Sequence, residues 1–258
     1  MTRRAIPLSP ARQTIADLSW ASLRVPRCVI TARLHLPRAH AARAALSAPR
    51  PPWPTLFAKG FALAAERQPA LRRIHATLPS PRLIEVPHAI GCILVERDAA
   101  GEPMLVMARL AEPHSTPLPD LAAMLRRAKT DPCAAVGAHR RQLRFARLPW
   151  PLRRLLLRIA LATGAPLLRY GGTFAVSAIG QHGAMVVESI SVLPCFLSYG
   201  PISAEGAVDA VLSFDHRVMD GAEGAAALRA MEAMIEGPVA VELAALSPAV
   251  SPVAALPA

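Results

Sequence analysis

The sequence predicts an α/β fold built as one domain. Segments with strand period and segments with helical period are interspersed along the whole length, and no clear linker divides them. Hydrophobic residues make up 53% of 258 positions while charged residues stay at 18%, enough apolar material for one large core. No internal repeat is present. We therefore expect one domain over residues 1–245, with a divergent segment at 136–169 inside it and a Pro/Ala-rich tail at 246–258.

Ser9 followed by Pro10 reads as an N-cap and a first helical residue, opening a helix with Ala11, Ile15, Leu18 and Ser22 on one face. Val25-Pro26 ends it, and Val29–Leu36 reads as a strand. A proline-rich connection at Pro49–Pro54 leads to a helix over Thr55–Arg67, with Phe57, Phe61 and Ala64 on one side. Strands are expected at Leu83–Val86, Ala89–Glu96 and Pro103–Leu110, the last two joined as a hairpin through Asp98-Ala99-Ala100-Gly101. Leu118, Leu121, Leu125 and Ala128 mark an amphipathic helix. Between Val136 and Arg169, eight arginines punctuate an apolar background, which reads as a helical pair packed on its own domain with solvated arginines. The same stretch also fits an amphipathic segment on a membrane or over a channel mouth. Strands follow at Gly172–Ala178 and Ser191–Tyr199.

The net charge of +11 raises nucleic acid as a partner, but 4% aromatics is poor material for stacking on bases, and no nucleic acid is expected. Lys59 and Lys129 are the only lysines, so the charge is nearly all arginine, and a phosphate-bearing small ligand suits such a surface equally well. Cys28, Cys92, Cys133 and Cys195 form no CxxC pair; reduced core thiols and a cytoplasmic setting are expected. Histidines 35, 40, 75, 88, 114, 139 and 182 show no metal-ligand spacing, and no metal is expected. The longest near-continuous apolar run, Leu155–Leu168, is broken by Arg158, Gly164 and Pro166, which argues against a membrane span.

The chemistry concentrates in Asp215-His216-Arg217-Val218-Met219-Asp220-Gly221. Upstream, Val208, Ala210, Leu212 and Phe214 alternate as a strand; downstream, Ala225, Leu228, Met231 and Ile235 recur at helical spacing until Gly237-Pro238, where the helix should stop. His216 thus occupies a strand-to-helix turn, a suitable place for a general base. Asp220, with Glu223 three residues on, has the pattern of a capping box, and Arg217 reads as an ion-pair partner that holds the turn.

Three segments in order resemble the catalytic domain of 2-oxo-acid dehydrogenase acyltransferases. These are Ile6-Pro7-Leu8-Ser9 with Arg12 and Ile15-Ala16; Gly171-Gly172-Thr173-Phe174 running on to Ser177 and Gly180; and Asp215–Gly221. The resemblance implies a chloramphenicol acetyltransferase-like two-layer sandwich, a mixed β-sheet with flanking helices, assembled as a homotrimer or as an assembly of trimers, with the active site between subunits. It implies CoA or acyl-CoA as substrate, His216 as base, Ser177 from a neighbouring subunit as oxyanion donor, and Asp220 as the residue that orients the imidazole. His182 falls shortly after Ser177 and reads as a surface-loop residue. No lipoyl domain precedes the catalytic helix, so a stand-alone enzyme is expected, with any lipoyl-bearing partner a separate protein. The alternative is a non-catalytic trimeric scaffold or regulatory relative.

Overall fold

The computed structural model describes residues 4–98, 101–133, 135–180 and 183–247. The first helix, α1 (Pro10–Ser22), starts as expected: Ser9 Oγ accepts a hydrogen bond from the Arg12 amide at 3.2 Å. After Pro26 comes β1 (Arg27–His35), and then a helix the sequence does not announce, α2 (Pro37–Ala44). Its eight residues bury only Ala39, so it has no apolar stripe to read. Its N-terminus is capped from far along the chain, where the Glu236 carboxylate accepts from the amides of Arg38 and Ala39, both at 3.0 Å.

Next are α3 (Trp53–Arg67), a 3₁₀ turn at Pro69–Arg72, and the short antiparallel pair β2 (Arg73–Ala76) and β3 (Arg82–Glu85). The hairpin of β4 (Gly91–Asp98) and β5 (Pro103–Leu110) forms as expected. Its Asp98 carboxylate accepts from the Gly101 amide at 2.7 Å, while Ala99 and Ala100 fall outside the described residues. Four helices follow: α4 (Leu118–Thr130), α5 (Gly137–Ala146), α6 (Trp150–Thr163) and α7 (Ala165–Tyr170). Then come β6 (Phe174–Ala178), β7 (Cys195–Tyr199), β8 (Ala207–Asp215) and α8 (Gly221–Met234). Two strands are shorter than the sequence suggests. Gly172, at φ +123°, cannot sit in a regular strand, and the stretch before Cys195 includes Pro194, which has no amide to donate.

Gly237-Pro238 does not stop the last helix. Ile235–Val239 widens into a π turn and the chain resumes as α9 (Ala240–Ala245). A π turn accommodates the missing amide of Pro238 that a regular helix interior would not. This continuation lets Glu242 reach Lys59: Nζ lies 2.5 Å from Oε2, and the other carboxylate oxygen accepts from the Leu118 amide at 2.6 Å, capping α4. Beyond Ser247 the tail lies outside the described residues.

The main sheet has the order β1-β8-β7-β6-β4-β5, with β4, β6 and β7 parallel to one another and the other neighbours antiparallel. One face carries the main core. Phe174, Val176, Cys195, Leu197, Leu212 and Phe214 pack there under α3, α4, α8 and α9. Phe57 and Phe61 of α3 meet Tyr199 and Phe174 with ring centroids 3.9 and 4.4 Å apart, and each fully buried ring contributes about 1.5–3 kcal/mol. The opposite face holds a smaller cluster of Cys92, Ala175, Leu193 and Phe196. A third cluster joins Ile74 of β2 to Ala160 of α6 and to Leu167 and Leu168 of α7.

The Arg-rich segment forms three helices, α5, α6 and α7, rather than the pair expected, and its residues are turned about. Arg153 is 3% exposed, and its Nε donates to Asp17 Oδ2 at 2.6 Å, while Nη2 donates to Gln13 Oε1 at 3.2 Å. Further bonds run to the carbonyls of Ala146 and Leu148. Leu152, Leu155, Leu156 and Ile159 instead face outward. The buried acceptor Asp17 decides this arrangement, because an unpaired buried carboxylate would cost more than exposed leucines do.

Candidate active site

Residues of β8, β1 and the chain before β7 build the turn that carries His216. The Asp215 amide donates to the Pro194 carbonyl at 2.8 Å and the His216 amide to the Pro26 carbonyl at 2.9 Å. Asp215, 3% exposed, then accepts two side-chain bonds from Arg217: Nε to Oδ1 at 2.9 Å and Nη2 to Oδ2 at 2.7 Å. The Arg217 amide adds a third to Oδ1 at 3.0 Å. A forked, buried pair of this kind fixes the turn in register as well as in energy. Arg27 braces the same place, its guanidinium donating to Ser213 Oγ at 2.9 Å and to the Leu193 carbonyl at 2.7 Å.

His216 projects from this rigid base with half its side chain exposed. Its Nδ1 lies 3.6 Å from Asp220 Oδ1, which leaves Nε2 on the outer side of the ring. Asp220 caps α8 through a capping box, whose well-formed half is its own amide donating to Glu223 Oε2 at 2.9 Å. A methyl group at Gly221 would meet nothing within 4 Å. Packing therefore does not require that glycine.

The residues around Ser177 have structural duties. Gly172 needs its positive φ, and a Cβ there would strike the Ile90 carbonyl; a Cβ at Gly171 would lie 2.6 Å from Leu193 Cδ2. Thr173 Oγ1 accepts from the Ile90 amide at 3.1 Å and donates to the Ile90 carbonyl at 3.2 Å. Together they set β6 against β4. Phe174 and Val176 then enter the main core, while Ala175 points to the opposite face and Ser177, two residues on, shares that face.

Ser177 and His216 are not neighbours within one chain. Ser177 pairs with Ser198 on β7, and Ser198 with Val211 on β8, five residues short of His216 and two strands across. At about 3.3 Å per residue and about 4.8 Å per strand, the two lie on the order of 20 Å apart. His182 lies outside the described residues.

His75 was not singled out by the sequence. It is on β2, close enough to Arg217 and Asp215 to feel both charges, and its buried Nδ1 has no partner among the described residues. Burial first, and then the Arg217 charge, hold its pKa below the ordinary value, so it stands beside the turn as a neutral ring. A four-residue strand offers too little periodicity to foresee this. Burial pushes the Cys92 and Cys195 thiols up to about 12, which makes both inert.

Two further features lie elsewhere. Glu66, His88 and His114 bring three donor atoms within 4.8 Å of one another, a grouping their sequence spacing did not suggest. His88 Nδ1 is 3.0 Å from Glu66 Oε2, and the two imidazoles stack at 4.4 Å with 20° between planes. Lone pairs lie in the ring planes, so stacked rings do not aim them at one ion, and the group is a hydrogen-bonded stack. A cleft of 330 Å³ lined by Arg109, Arg127 and Arg141 opens between β5, α4 and α5, at the sheet edge opposite β1.

Residues 169–243 match the model of the 2-oxoacid dehydrogenases acyltransferase (catalytic domain). This segment is similar to that catalytic domain. It runs from the end of α7 to α9 and includes Ser177, His216 and Asp220, while α5 and α6 precede it. The chain shares its fold with solved catalytic cores. A probable dihydrolipoamide acetyltransferase from Listeria monocytogenes is 19% identical, over 91% of this chain and 94% of that one, with a TM-score of 0.65. The Azotobacter vinelandii dihydrolipoamide acetyltransferase is 18% identical over 93% and 94%, with a TM-score of 0.66. The truncated catalytic core of the Thermoplasma acidophilum 2-oxoacid dehydrogenase complex is 16% identical over 92% and 99%, at 0.65. A search among curated proteins returns no match. The mixed sheet with flanking helices expected from the resemblance is thus the fold observed.

Proposed function

We propose that this protein is an acyltransferase that moves an acyl group between a CoA thioester and a thiol, hydroxyl or amine acceptor, at a site completed by two copies of the chain in a homotrimer. The observation that carries this reading is the separation of Ser177 from His216. A base and an oxyanion donor on the order of 20 Å apart cannot serve one carbonyl, so a site that uses both needs one from each copy. The spacing of His216 and Asp220 supports the base. In the A. vinelandii enzyme, a serine, a histidine and an asparagine were investigated for their roles in the catalytic mechanism, and the last two stand four residues apart. His216 and Asp220 stand at the same spacing, with an aspartate in the second place.

For a thiol acceptor, His216 Nε2 takes the S–H proton as sulfur attacks the thioester carbonyl. Ser177 Oγ–H of the second copy donates to the oxyanion that forms. Collapse of the tetrahedral adduct breaks the bond to the CoA sulfur, and the imidazolium returns the proton to that leaving thiolate. Asp220, beside Nδ1, and the Asp215–Arg217 fork keep the ring facing the acceptor. No bond to the protein forms at any step.

The test is complementation between two inactive variants. His216→Ala should lower acyl-CoA turnover about 10²–10⁴-fold, and Ser177→Ala about 10²–10³-fold. When the two are unfolded together in equal amounts and refolded, about a quarter of the sites should regain both residues, with activity in proportion. Unchanged turnover in His216→Ala sinks the mechanism. Inactive single variants that never complement sink the shared site.

A further inference from the structure

Helix α6 presents to solvent the residues that an amphipathic helix ordinarily hides. Leu152, Leu155, Leu156 and Ile159 are 41%, 52%, 38% and 45% exposed, and their spacing of i, i+3, i+4 and i+7 sets them in one stripe. The orientation is fixed rather than incidental. Arg153, on another side of the helix, is locked to Asp17, and the Arg154 Nε reaches the same carboxylate at 3.2 Å. Beside the stripe, the guanidiniums of Arg24, Arg154 and Arg158 lie 3.7, 4.9 and 5.3 Å from the ring centroid of Trp20. Trp150, 61% exposed, opens the helix. From Pro132 to Val187 the sequence contains no aspartate or glutamate.

We propose that α6 docks this protein on an anionic lipid bilayer, lying in the plane of the headgroups with its leucine stripe inserted and its flanking arginines on lipid phosphates. A helix with an apolar stripe, arginine flanks and a tryptophan at one end has the composition of an interfacial helix. At fourteen residues it is too short to cross a membrane, and no helix among the described residues is long and apolar enough to do so. Charge complementarity chooses the occupant. A like copy seated stripe to stripe would bring together two arginine borders whose neighbouring carboxylate, Asp17, is already held by Arg153 and Arg154, whereas a phosphate surface neutralises them. The inference is independent of the acyl-transfer reading, because neither His216 nor Ser177 takes part.

Co-flotation of the full chain with vesicles tests it. Binding to phosphatidylglycerol-containing vesicles should exceed binding to pure phosphatidylcholine vesicles about tenfold or more and weaken by a similar factor in high salt. The double variant Leu155→Asp/Ile159→Asp should bind about tenfold or more weakly, with circular dichroism and native mass unchanged. Wild-type protein that ignores the anionic vesicles overturns the proposal. So does a double variant that binds as well as wild type, because arginines alone would then suffice. A double variant whose native mass falls assigns the stripe to a second copy, which also overturns it. Should the variant fail to fold, quenching by lipids brominated high on the acyl chain decides: quenching lost in Trp150→Phe is the expected result, and no quenching in wild type overturns the inference.

Discussion

His216 is held by the other residues of its own turn. Asp215 is buried, fully paired with Arg217, and tied by backbone to Pro194, so the imidazole extends from a point that cannot drift. Arg217→Lys keeps the charge but loses the fork. It should lower turnover while leaving the melting temperature within a few degrees, read by steady-state kinetics and calorimetry. Gly221 tests the turn from the other side. Since open space surrounds its Cα, Gly221→Ala should raise stability by up to about 1 kcal/mol through helix propensity. A loss of turnover in that more stable variant, measured beside its unfolding curve, would show that the glycine is kept for whatever approaches the helix end. The Asp-His-Arg turn, its strand and its helix were all legible, because periods of two and of 3.6 meet there. The distance from Ser177 was not, because strand register is decided by pairings that single-strand periodicity does not contain.

At the scale of elements, two ion pairs clamp distant helices. Asp17–Arg153 joins α1 to α6, and Lys59–Glu242 joins α3 to α9. Removing Glu242 strands Lys59 in the interior, so Glu242→Ala should cost about 3–5 kcal/mol in denaturant unfolding, whereas Arg153→Ala leaves Asp17 its bond from Arg154 and should cost less. The paired replacement Asp17→Leu/Arg153→Met should restore most of the loss. Partners far along the chain explain why α2 and the orientation of α6 escaped prediction: Glu236 caps α2, and Asp17 holds Arg153. Where an element is shaped by its own apolar stripe, as α3 and α4 are, the sequence suffices.

At the scale of the molecule, pH should act through buried histidines. His139 is fully buried with neither ring nitrogen partnered among the described residues; burial, and then the nearby Arg97, set its pKa below the ordinary 6.5. His75 is shifted the same way. The folded chain therefore binds fewer protons than the unfolded one as pH falls below about 6.5. The stabilisation is complete above that value and is lost as pH drops through the lowered folded pKa. Thermal melts should be flat above neutrality and decline on the acid side, with a shallower decline in His139→Leu.

The pairing of β1 with β8 sets Arg27 opposite Asp215, the first strand against the last. During synthesis, β1 leaves the ribosome with its partner still to be made, and no shorter chain can close that edge of the sheet. Loop-closure entropy over such a span must be met before the pairing returns any stability, so folding should be slow and late. A nascent chain halted before residue 207 should leave β1 open to protease, and protection should appear only when the strand that delivers His216 has been released.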